Sequence, residues 1–88
     1  MPQSIELLHQ ALTVNPNKAF WCEQLQMRRN ALAQAQSRDR LSPTVAGNLA
    51  RLLGEDECFW VAVAALEAEP DSYGKAKLQA RESQWRKR

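Results

Sequence analysis

The stretch KAFWCEQLQMRRNALAQAQSRDR, residues 18–40, reads as two short helices around a tight turn. The first is expected to run to about Leu25, with Ala19, Cys22 and Leu25 on its inner side. Gln26, Met27 and Arg28 form the expected turn, and the second helix follows to about Gln36. Its inward positions, Leu32 and Ala35, lie three apart, leaving Arg28, Arg29, Asn30, Gln34, Ser37 and Arg38 outside. This is the pattern of a helix-turn-helix, in which one helix buttresses another that projects from the body. Cys22 is small enough to sit where the two helices touch.

Working outward, helical periodicity recurs along the chain with cap signals between the segments. Ile5, Leu8, Ala11 and Leu12 make a first stripe, with Ser4 placed to cap it. The segment VNPN, residues 14–17, interrupts it, and either Asn15-Pro16 or Asn17 starts the next helix. Residues 37–40 read as a polar loop. Ser42-Pro43 is the clearest helix start, an N-cap serine followed by proline. Ala46, Leu49, Leu52 and Leu53 form the stripe that follows, and Gly54 is expected to close it in a left-handed conformation. Asp56 caps a fifth helix that stops at Pro70. Residues 58–66 of that helix are all apolar, so it must be central or packed against a partner, with Phe59, Trp60 and Val63 as the expected dimer contacts. Tyr73, Ala76, Ala80 and Trp85 give weak helical spacing in a basic tail. The expectation is an all-α, five- or six-helix domain over residues 1–71, with a basic helix or tail at 72–88.

Composition narrows the function. Charged content of 25% and hydrophobic content of 44% suit a folded chain rather than a disordered one. No apolar run approaches the roughly 18–20 residues that span a bilayer. The opening MPQSIELLHQ lacks the pattern of a signal peptide, so a cytoplasmic location and no membrane partner are expected. Cys22 and Cys58 are too few for a disulfide scaffold or a zinc site, and both, in apolar helical segments, read as buried free thiols. His9 stands alone, short of the three or four ligands that zinc takes. The acids at 55–57 sit where a helix N-terminus favours them, and Glu67, Glu69 and Asp71 lack calcium-loop spacing. Trp21 and Trp60 lie in apolar runs and belong to the core or an interface, whereas Trp85 lies among basic residues. With no nucleophile–base pair, glycine-rich phosphate loop or metal cluster, no enzyme activity, cofactor or small-molecule substrate is expected.

Net charge of +2 is uninformative, but its distribution is not. Residues 18–41 hold five basic and two acidic side chains, residues 55–71 six acidic and none basic, and residues 72–88 six basic and one acidic. A positive helix pair and tail around a negative segment is a layout for docking one face on phosphates. In that arrangement Arg29, Asn30, Ala33 and Gln34 are placed to read bases, because arginine matches guanine and asparagine or glutamine matches adenine. Lys18, Arg28, Ser37, Arg38 and Arg40 fall nearer the phosphates, giving affinity and position but little sequence information.

Over roughly residues 18–69, the chain resembles the short Cro/lambda-repressor-type regulators of bacteriophages and prophages, those of filamentous prophages included. The resemblance rests on the helix pair, the polar loop, Leu41-Ser42 opening helix four, the ending Ala50-Arg51-Leu52-Leu53-Gly54, and the apolar fifth helix. It implies a homodimer that binds an inverted-repeat operator in double-stranded DNA and represses transcription. Two positions depart from the family pattern. Gln26 stands where a glycine is usual, so the backbone there must go left-handed at a cost or turn differently. Arg28-Arg29-Asn30-Ala31-Leu32 replaces the usual Thr/Ser-Val-Ser start. The alternative reading is a protein-interaction module, antirepressor- or antitoxin-like, that binds a partner through the fifth helix or the basic tail.

Overall fold

A computed structural model describes residues 3–85, and among these the chain is all-helical. Six α-helices follow one another: α1 (Ile5–Val14), α2 (Lys18–Gln24), α3 (Ala31–Arg38), α4 (Pro43–Leu53), α5 (Glu57–Ala68) and α6 (Tyr73–Ala80), with a single 3₁₀ turn at Glu82–Gln84. None is long and apolar enough to cross a membrane. Arg86, Lys87 and Arg88 of the basic tail lie outside the described residues.

The helix starts follow local side-chain chemistry. Asn17 accepts the Ala19 amide at 3.0 Å, so the second of the two expected starts is the one used. Ser42 accepts from Val45 ahead of Pro43, Asp56 from Phe59, and Ser72 from Lys75. Each bond satisfies an amide that the first turn leaves without a partner. Ser4 departs from expectation. It precedes α1 but makes no capping bond. Its buried hydroxyl instead accepts the Leu41 amide at 2.8 Å and donates to the Glu67 carboxylate, whose other oxygen takes the Ser4 amide at 3.0 Å. One hydroxyl thus ties the start of α1, the α3–α4 link and the last turn of α5.

Three helices end alike, with the residue after the cap or the cap itself in the left-handed region. After α2, Met27 donates to the Cys22 carbonyl at 2.8 Å and Gln26 to Glu23 at 3.1 Å, with Gln26 at φ 55°. Asp39 (φ 61°) and Gly54 (φ 76°) play the same part after α3 and α4. The paired bonds occupy carbonyls that would otherwise face nothing, which is the Schellman arrangement. The reach of α3 to Arg38 moves Ser37 and Arg38 from the expected loop into the last helical turn, leaving only Asp39–Leu41 as the link.

The core gathers Leu7, Leu8 and Ala11 of α1, Trp21 and Cys22 of α2, Leu32 and Ala35 of α3, Ala46, Leu49 and Ala50 of α4, and the inner side of α5. Leu12 lies only partly inside, Ala19 is exposed in favour of Trp21, and Leu52 faces out. The largest interface is α4 against α5. Gly47 makes it possible, since a Cβ there would stand 2.5 Å from Val61 Cγ2. Phe59, Trp60 and Val63, expected at a dimer contact, are 3%, 5% and 0% exposed within the single chain. They serve its own core, so these three do not form an outer contact surface. Away from α4, α5 exposes Ala65 and half-exposes Ala62 instead.

Alanine at position 47 brings better helix propensity, by about 1 kcal/mol, against a neighbour that is stiff at χ1. The clash is expected to win: Gly47→Ala lowers stability by about 1–3 kcal/mol in urea titrations. In a Val61→Ala background the same change is expected to become neutral or stabilising.

Candidate nucleic-acid interface

The α2–α3 pair is set by two anchors. Trp21 donates its indole N–H to the Asn15 carbonyl at 2.9 Å, which holds α2 to the end of α1. The buried Cys22 thiol lies 3.6 Å from the Arg29 carbonyl and donates to it, pulling the segment ahead of α3 against α2. Leu32 and Ala35 then pin α3 from beneath.

The start of α3 differs from expectation. Residues 25–30 form the connection, longer than the expected three-residue turn, and α3 begins at Ala31. The Ala31 amide bonds to the Arg28 carbonyl at 3.0 Å, closing a turn over 28–31 that leads into the helix. Asn30 (φ −103°, ψ 7°) is the residue before the helix and makes no side-chain cap. Two adjacent left-handed and turn conformations consume the residues that helical periodicity alone assigns to α3. Arg28, Arg29 and Asn30 therefore precede the helix rather than belonging to its first turn.

The side chains singled out in the sequence are all exposed: Arg28, Arg29 and Asn30 just ahead of α3, Ala33 and Gln34 along it, and Ser37 and Arg38 at its far end. Within the helix, Ala33, Gln34, Ser37 and Arg38 lie on the side away from the buried Leu32 and Ala35. Arg38 at the C-terminal turn is also favoured by the helix dipole. Lys18, the first residue of α2, is half-buried and stands less open than the arginines. Arg40 follows in the link, its guanidinium 3.4 Å from the Glu67 carbonyl.

A further feature is not visible in the sequence as a unit. Arg38, Arg40, Leu41, Ser42, Pro43 and Ala68 line a cleft of about 170 Å³ at the N-terminal end of α4. Two arginines at a cleft beside the positive end of a helix dipole, one of them already donating to the Glu67 carbonyl, make a setting suited to an oxygen anion such as a backbone phosphate. The signal was there in part, as two arginines immediately ahead of a Ser-Pro helix start. What brings Ala68 to the cleft is the Ser4–Glu67 tie, which joins segments distant in sequence.

Among the described residues no group of His, Cys, Asp and Glu side chains is arranged to hold a metal ion. Both cysteines are free, Cys22 buried as expected but Cys58 exposed, because it falls on a side of α5 that no other helix covers. No protein-family model, curated protein or solved structure matches the chain.

Gln26 is the strained element in this unit, because a side chain in the left-handed region costs about 1–2 kcal/mol for most residues, while aspartate tolerates it. Gln26→Gly is expected to raise stability by up to about 1 kcal/mol in chemical denaturation. Asp39→Gly, at the matching place after α3, is expected to gain less. Equal gains at both positions would contradict the assigned strain.

Proposed function

We propose that the chain is a sequence-specific double-stranded DNA-binding transcription regulator of the helix-turn-helix kind, a phage- or prophage-type repressor acting as a homodimer. The observation that carries this reading is the exposed set Arg29, Asn30, Gln34 and Arg38 along α3 and just ahead of it, followed in the chain by the arginine-lined cleft at the start of α4. In this reading α3 enters the major groove by its N-terminal end. Arg29 and Asn30, just ahead of the helix, and Gln34, one turn in, meet base edges, with Ala33 close to the groove floor. Arg28, Ser37, Arg38, Arg40 and, more remotely, Lys18 contact phosphates. Two copies place their α3 helices in successive major grooves about 34 Å apart, which calls for an inverted-repeat operator. Occupancy over a promoter then suffices for repression.

Selection of bound duplexes from a random double-stranded pool at physiological salt is the direct test. An inverted repeat is the expected product. Recovery of no consensus by folded protein would overturn the reading in favour of a protein-interaction module.

The division of labour within the site makes a separate prediction. Arg29→Ala is expected to cost about 1–3 kcal/mol on the selected sequence and to relax preference at one base position per half-site. Arg38→Ala is expected to weaken all sequences about equally and to reduce the slope of log affinity against log salt by about 1. Uniform loss for both variants would refute the assignment.

A further inference from the structure

The outer side of α5 and the helix that follows it form a surface the regulator reading leaves unused. Ala62, Ala65 and Leu66 of α5 floor a groove of about 460 Å³, walled by Leu78 of α6 and by Trp85. Helix α6 buries none of its residues and packs chiefly on the 3₁₀ turn after it. Tyr73 is 82% exposed and Leu78 40%. An eight-residue helix is too short to hold in water by propensity alone and takes its stability from packing. Lys75 fastens its near end, donating to the Glu69 carbonyl at 2.8 Å and to the Asp71 carboxylate at 3.5 Å. Trp85 packs against the core at the far end. Between these fastenings the helix has an apolar side chain, Leu78, with little to cover it.

Charge indicates the occupant. Glu69 lines the groove and, with Asp71, precedes α6, whereas Lys77 in the last turn of α6 and Arg81 just past it lie toward the other end, all exposed. A helix with acids ahead of it and bases at its far end is complementary to itself under a two-fold rotation, which sets each acidic end against the partner's basic end. We infer that this groove is the surface through which two copies of the chain associate, α6 of each copy lying along the outer face of the other's α5. Leu78 and Trp85 then supply the apolar contact, and small side chains at 62 and 65 let the backbones come close. The inference deepens the homodimer in the function proposed above and rests on that reading for the dimer's role. It replaces Phe59, Trp60 and Val63, which the core consumes.

The test is a charge swap on the full chain, read by sedimentation equilibrium without DNA. The wild type is expected at twice the chain mass. Lys77→Glu/Arg81→Glu sets acid against acid across the two-fold, and Glu69→Lys, which leaves the Lys75 bonds to the Glu69 carbonyl and the Asp71 carboxylate in place, sets base against base. Each is expected to weaken self-association by about 10- to 100-fold while leaving the circular dichroism spectrum unchanged. Mixing the two variants is expected to restore association as a heterodimer, an outcome that damaged folding would not produce. A monomeric wild type overturns the inference, as does a dimer indifferent to both charge variants. Failure of the DNA reading alone would leave the mass and the swap result as they are. A wild-type monomer that still selects a single half-site would leave DNA recognition standing without this interface.

Discussion

A helix that is apolar on every side has to be covered, and the arrangement of this chain follows from that constraint. With residues 58–66 all apolar, α5 has no polar face to give to water. Its inner side, Phe59, Trp60, Val63 and Ala64, packs chiefly on α4 and through it joins the core shared with α1, α2 and α3. Gly47 lets α4 approach so closely that α5 is covered along much of its length, at an interface no larger side chain would fit. Burial of a side chain of this size contributes roughly 1.5–3 kcal/mol, so the gain is concentrated on one helix. Its last turn is then fixed by the Ser4 hydroxyl and Glu67, which also holds Leu41 and so sets where α3 ends and α4 begins.

Much of the fold was legible because its signals are local. Asn17, Ser42-Pro43 and Asp56 act as caps through atoms two or three residues away, and Gly54 closes α4 through its own backbone freedom. Ser4 was misread for the opposite reason: its partners lie 37 and 63 residues away, and no local pattern announces them. Leu52 fits a helical stripe by spacing yet faces solvent, since a stripe wider than the neighbouring helices leaves one edge uncovered. The apolar run of α5 signalled burial correctly, but periodicity had no way to say which side would be satisfied within the chain. That is why Phe59, Trp60 and Val63 belong to the core.

The same distinction applies to the candidate interface. Residue types and exposure on α3 were readable, because Leu32 and Ala35 fix the inner face and everything opposite must lie outside. The start of the helix was not. Gln26 adopts the left-handed conformation normally left to glycine, and the Cys22 thiol holds the Arg29 carbonyl, so the connection runs to Asn30 before α3 begins. Nor could spacing join Arg38 and Arg40 to Ala68 in one cleft, since that requires the C-terminal end of α5 to be brought to the α3–α4 link.

Helix α6 stands apart from this interdependence. The body closes on residues of the first five helices, and α6 contributes none of the buried side chains. Positions such as Tyr73, Ala76, Lys77 and Ala80 are exposed, so exchanges there leave packing untouched and are nearly neutral for folding. Sequence drift is therefore cheap along the whole of this helix, whereas each of the first five helices has buried positions where it is costly. On the self-association proposed above, duplicated copies of such a chain would be insulated from one another by a few substitutions on a single short helix, with the folded body and its arginine-rich face inherited unchanged.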